Sequence, residues 1–131
     1  MIALSELDML AAARLEDARA LLAAGRFDGA VYVGGYCIEL TLKARICRTL
    51  GWPDFPATAN EFRDYTSFRT HTLSVLLRLS GIEARIKISV PQLWAAVSQW
   101  NPEFRYRVIG STTATEARDF VTAAAAILPV L

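Results

Sequence analysis

The segment Ala30–Leu50 constrains the fold more than any other part of the chain. Ala30, Val33, Cys37, Leu40, Ala44 and Cys47 step by three and four residues, and a second row, Val31, Gly34, Ile38, Leu42 and Ile46, runs beside them. Two adjacent rows at helical spacing make a helix that is apolar over most of its circumference. Such a helix is packed on several sides, which places it in the core of a bundle. Gly34 and Gly35 each cost about 1 kcal/mol of helix propensity against alanine. Their plainest reason is close approach of a neighbouring helix. The expected fold is all-α: a four- to five-helix up-and-down bundle with a central buried second helix, in one domain spanning 1–131.

The flanking helices follow from the same spacing. Leu7, Ala11, Leu15, Ala18 and Leu22 predict a first helix over Glu6–Ala24, capped by Ser5 with Asp8 three residues on and stopped by Gly25. Asp28 is the expected cap of the second helix. Gly51, Pro53 and Pro56 make 51–69 the least regular stretch. Thr70 is expected to cap a third helix, His71–Ser80. Ser89 and Pro91 open a fourth that runs to Trp100, since proline suits a first helical turn. Thr113 with Glu116 makes a capping box for a last helix to Leu128. Residues 82–88 alternate, but a lone strand has no partner, so they read as a loop or a helix extension.

Composition excludes several classes of function. The net charge is +1 and 21% of residues are charged, which argues against duplex DNA as a partner. The hydrophobic fraction of 53% owes much to alanine, at 11–13, 23–24 and 123–126. No stretch approaches the roughly 18 apolar residues of a membrane span, and the first residues lack a basic leader, so no membrane role and a cytoplasmic location are expected. Cys37 and Cys47 would stand about 15 Å apart on one helix, too far for a disulfide. They read as small buried hydrophobes. One histidine and two buried cysteines make no metal site, and no cofactor is expected.

Three features can carry chemistry. Tyr32, Tyr36, Glu39 and Lys43 share one helix face, with Glu39 and Lys43 in the favourable order for an ion pair. This strip is either a surface salt bridge with tyrosine stems over the core or the wall of a ligand site. His71, the sole histidine, would start a helix, where its ring could approach an anion. Arg105 and Tyr106 lie in the break after Trp100, where arginines beside aromatic rings can grip a phosphate or stack on a base. The alternative is that Trp100, Phe104 and Tyr106 pack the bundle end while Arg105 pairs with Glu103 or Glu39. No glycine-rich phosphate loop is present.

The order of these pieces resembles the HEPN family (higher eukaryotes and prokaryotes nucleotide-binding domains). Ala18–Ala44 resembles its first helix, short turn and second helix with a glutamate and a lysine four apart; Thr70–Leu77 looks like its histidine-bearing helix start; Trp100–Tyr106 looks like the Trp…Arg-Tyr element of one bacterial branch. The resemblance covers residues 11 to 128. It implies a helical bundle, commonly a homodimer, that binds nucleotide or RNA, acts as a ribonuclease toxin, or pairs with a small nucleotidyltransferase or antitoxin. Carried over residue by residue, it implies a ligand site made by Tyr36, Glu39, Lys43, His71, Arg105 and Tyr106. The ribonuclease branch has an arginine followed four to six residues later by a histidine. Here Arg63 and Arg69 precede His71 with seven and one intervening residues, so that catalytic pair is not carried over.

The expected function is therefore a HEPN-like nucleotide-, RNA- or partner-binding module, a homodimer and a component of a toxin–antitoxin type system. The alternatives are a metal-independent ribonuclease with a rearranged site, using His71 as general acid or base, and a purely structural dimerisation domain.

Overall fold

Helix α2, Phe27–Leu50, is the centre of the molecule. The computed structural model describes every residue, Met1–Leu131, and in it α2 packs against α1 (Leu4–Ala23), α3 (Leu73–Leu79) and α6 (Ala114–Ile127). The whole row Val31, Gly34, Ile38, Leu42 and Ile46 is buried. In the other row Ala30, Cys37, Ala44 and Cys47 are buried, while Val33 and Leu40 are half-buried between α1 and α2. The all-α bundle with a buried second helix is thus what the chain forms. It has six α-helices, the other two being α4, Glu83–Ser89, and α5, Pro91–Val97. No helix is long and apolar enough to cross a membrane.

Several local expectations are corrected. Ser5 does not cap α1, because the helix already begins at Leu4 and the Glu6 carboxylate accepts from the Ala3 amide. The early start has a cause. Ile2 and Ala3 (β1) pair antiparallel with Phe55 and Asp54 (β2), and the Leu4 amide donates to Pro53, so the chain enters the helix straight from this short ladder. The ladder is also the one pair of strands, where none was expected. Residues 83–89 form a helix of their own, so α5 starts at Pro91 after the single residue Val90. α5 ends at Val97, short of Trp100, and Asn101 caps a 3₁₀ turn over Pro102–Tyr106 by accepting from the Glu103 amide. Thr113 caps α6 through the Glu116 amide, as its spacing predicts.

Asp28 does not cap α2, which starts one residue earlier at Phe27. Its carboxylate accepts instead from the Gly110 amide at 2.6 Å and the Thr112 amide at 3.0 Å, tying the loop before α6 to the start of α2. The Gly110 bond, then those of Thr112, hold the Asp28 carboxyl below its ordinary value.

The two mid-helix glycines have separate reasons. A Cβ on Gly34 would lie 3.3 Å from the Phe120 ring of α6 and 3.6 Å from Ala18 of α1, so Gly34 permits the helix contacts. A Cβ on Gly35 would lie 1.9 Å from the Trp100 indole. The neighbour that Gly35 admits is therefore a ring, buried flat against the backbone of α2, and not a helix.

Two predictions follow from these contacts. Gly35→Ala destabilises the fold by about 1–3 kcal/mol through overpacking, whereas Gly34→Ala is milder because gained helix propensity of about 1 kcal/mol offsets a marginal contact; urea denaturation of both variants measures the order. Asp28, whose folded pKa is depressed, stabilises the loop fully above the usual carboxylate range and ceases to as pH falls through the folded value. Amide exchange at Gly110 and Thr112 should rise on that acid side, and should be fast at all pH in Asp28→Ala.

Candidate functional site

Gly35 and Glu39 lie four residues apart on α2, so they share a face. Each fixes one wall of a cleft. Gly35 receives Trp100, and with it the residues that follow α5. Glu39 receives His71. Between them lies a cavity of about 850 Å³ lined by Tyr36, Arg69, His71, Ser74, Trp94, Ser98, Gln99, Trp100, Asn101, Glu103 and Arg105, among others. Three of the residues expected from sequence, Tyr36, His71 and Arg105, thus meet in one space although they come from three separate parts of the chain.

Glu39 is 2% exposed, so its charge is almost wholly out of water. Its Oε1 accepts from Lys43 Nζ at 2.6 Å and lies 2.8 Å from His71 Nδ1. A carboxylate only accepts hydrogen bonds, so Nδ1 carries a proton and Nε2 of a neutral ring is left as an acceptor. The His71 side chain is 62% exposed and lines the cleft. The carboxylate therefore sets both the tautomer and the direction of the imidazole.

His71 does not start a helix. α3 begins at Leu73, and Thr70 accepts from the Thr72 amide in the turn before it. The bond to Glu39 holds the ring in that turn, so its position owes nothing to a helix N-terminus. Glu39 and Lys43 do not form a surface salt bridge either. Lys43 is mostly buried, its ammonium 5.4 Å from the centre of the Phe55 ring, and neither residue lines the cleft. They stand behind His71.

Tyr36 packs edge-on against Trp100 at 4.9 Å between centroids, and its hydroxyl is 3.5 Å from that of Tyr32. Burial, with the Tyr32 hydroxyl and the Glu39 charge, pushes its pKa up to about 12, so it stays a neutral hydroxyl at ordinary pH. Arg105 pairs loosely with Glu103 at 3.7 Å, not with Glu39, and donates to the Pro102 carbonyl. Tyr106 is 72% exposed and outside the cleft, its ring beneath the Arg105 guanidinium at 4.6 Å. Of the residues expected in the site, it joins Glu39 and Lys43 as one of three that do not line the cleft.

Arg69, Ser74, Trp94, Ser98, Gln99 and Asn101 complete the lining and were not singled out from sequence. Arg69 had a signal, one residue from Thr70-His71, but the spacing of the ribonuclease motif excluded it. Ser74 and Trp94 reach the cleft from α3 and α5, and Ser98, Gln99 and Asn101 through the turn after α5. The cleft thus holds two guanidinium groups, an imidazole, the Glu103 carboxylate loosely paired with Arg105, neutral donors and acceptors, and aromatic walls. Among the residues that build the cleft, two buried polar atoms, Glu39 Oε2 and Trp100 Nε1, have no hydrogen-bond partner. Burial pushes the Cys37 thiol up to about 12, and its Sγ donates to the Gly34 carbonyl, so it offers no thiolate nucleophile. No three His, Cys, Asp or Glu side chains lie close enough together to hold a metal ion.

No protein-family model matches the chain, and no curated protein or solved structure matches it.

The buried pair yields a stability prediction. Lys43→Met strands the Glu39 carboxylate and should destabilise by about 3 kcal/mol. The double variant Glu39→Gln/Lys43→Met should be more stable than Lys43→Met alone, a coupling that a double-mutant cycle by urea denaturation measures.

Proposed function

We propose that the chain is a HEPN-like binding module whose His71–Arg105 cleft takes a phosphate-bearing ligand, a nucleotide or a single-stranded RNA segment. It acts as a homodimer, with a nucleotidyltransferase or antitoxin as the class of partner in a toxin–antitoxin type system. The observation that carries the reading is the convergence of Arg69, His71, Arg105 and Tyr36 on one polar cavity of about 850 Å³. Guanidinium forks match phosphate oxygens. Half-buried Tyr36 supplies an aromatic wall on which a base can stack. The volume lies in the range of small-molecule sites.

Fluorescence polarisation with a short labelled RNA, competed by a nucleoside monophosphate, tests this. Binding should weaken about tenfold or more in Arg105→Ala and in His71→Ala, since each removes a charge-assisted or site-facing hydrogen bond. A protein with no affinity for RNA or nucleotide overturns the reading.

One observation favours a second reading. A histidine oriented by a carboxylate is the arrangement of a general base, and Glu39 stands 2.8 Å from His71 Nδ1. In a metal-independent ribonuclease with this rearranged site, His71 Nε2 would take the proton of a ribose hydroxyl and Arg69 or Arg105 would steady the phosphate. RNA cleavage that vanishes in His71→Ala supports it. Cleavage that is absent from the wild type, or equal in both proteins, rejects it.

A further inference from the structure

The cleft leaves unused the irregular stretch after α2, where Trp52 organises a second site. Its ring lies edge-on to Tyr65 at 5.1 Å between centroids and tilted against Phe68 at 5.2 Å and Phe55 at 6.5 Å. Trp52, Tyr65, Pro53 and Pro56 wall a recess of about 250 Å³, and Asp54 and Glu61 supply carboxylates to it. None of these residues lines the His71 cleft. The recess lies where the β1–β2 ladder ends, so its floor is fixed by backbone pairing.

The charges of the recess favour a cation. Glu61 is pinned by the amides of Ala57 at 2.8 Å and Thr58 at 3.0 Å, and the Met1 amine, which also lines the recess, lies 2.9 Å from each of its oxygens, so the Glu61 charge is already paired. The Asp54 carboxylate pairs with no side chain and no amide, although Asp54 stands beside the rings. Aromatic rings attract cations through their quadrupoles, most strongly when the cation is weakly hydrated. Walls of two rings and two prolines cannot replace the water shell of a primary ammonium, but they suit one covered by methyl groups. The recess is also smaller than the usual small-molecule site of about 300 Å³ or more, which selects a compact ligand.

We propose that the Trp52–Tyr65 recess binds a small quaternary ammonium ion of choline size, with the unpaired Asp54 carboxylate as its counter-charge. This site is independent of the cleft and of the function assigned to it.

Choline and its neutral carbon isostere 3,3-dimethylbutan-1-ol, at matched ionic strength, discriminate the outcomes. The readout is the ¹H–¹⁵N spectrum of the whole chain, in which the Trp52 indole and Tyr65 amide report the recess and dispersion reports folding. Saturable shifts should occur with choline, at dissociation constants on the order of millimolar, and not with the isostere. Tyr65→Ala, at a side chain 46% exposed, should weaken binding about fivefold. Asp54→Asn, which leaves the backbone ladder intact, should weaken it also. Absence of choline shifts, equal shifts from the isostere, or choline binding unchanged in both variants would each overturn the proposal.

Discussion

The architecture of the cleft rests on a ring lying against bare backbone. At Gly35 there is no Cβ, and the Trp100 indole takes the space one would fill. This contact fixes where the chain goes after α5 and so where Ser98–Arg105 stands. One helical turn later, Glu39 does the same for the opposite wall by holding His71. Both contacts belong to one face of α2. A single helix therefore sets the width of the cleft, and the helix is itself held by α1, α3 and α6.

The two contacts differ in kind. Trp100 on Gly35 is packing, and its strength lies in excluded volume and apolar burial. Glu39 is a buried charge, and a buried charge is tolerated only where it is compensated. Lys43 and His71 share its Oε1 and supply that compensation. Because breaking such a group is more costly than replacing it with apolar side chains, its presence in the core points to a role beyond stability. Fixing the imidazole at the cleft is that role in this account.

The bundle was largely readable before the structure, and particular residues show why. The row Val31–Ile46 repeats at helical spacing without a polar interruption, and it is buried throughout. The Thr113–Glu116 cap was equally local. What failed were features decided by distant partners. Asp28 reads as a helix cap from its neighbours, yet its partners are Gly110 and Thr112. Ser5 reads as a cap until β1 pairs with β2. His71 reads as the first residue of a helix, but Glu39 holds it in the turn ahead. In the candidate site, Glu39 and Lys43 were readable as a pair but not as a buried one, and the lining from Ser98 to Asn101 depends on a turn whose direction Trp100 decides. Tyr106 shared a motif with Arg105 without sharing its surroundings.

The central claim is that Glu39 sets the tautomer of the histidine facing the cleft. The chain has a single histidine, so a long-range ¹H–¹⁵N correlation spectrum of the imidazole, taken about two pH units above the ordinary histidine value of about 6.5, reads that tautomer without ambiguity. The account predicts a ring protonated at Nδ1, with this preference lost in Glu39→Leu. A wild-type ring protonated at Nε2, or one that exchanges between both forms as a free imidazole does, would contradict it.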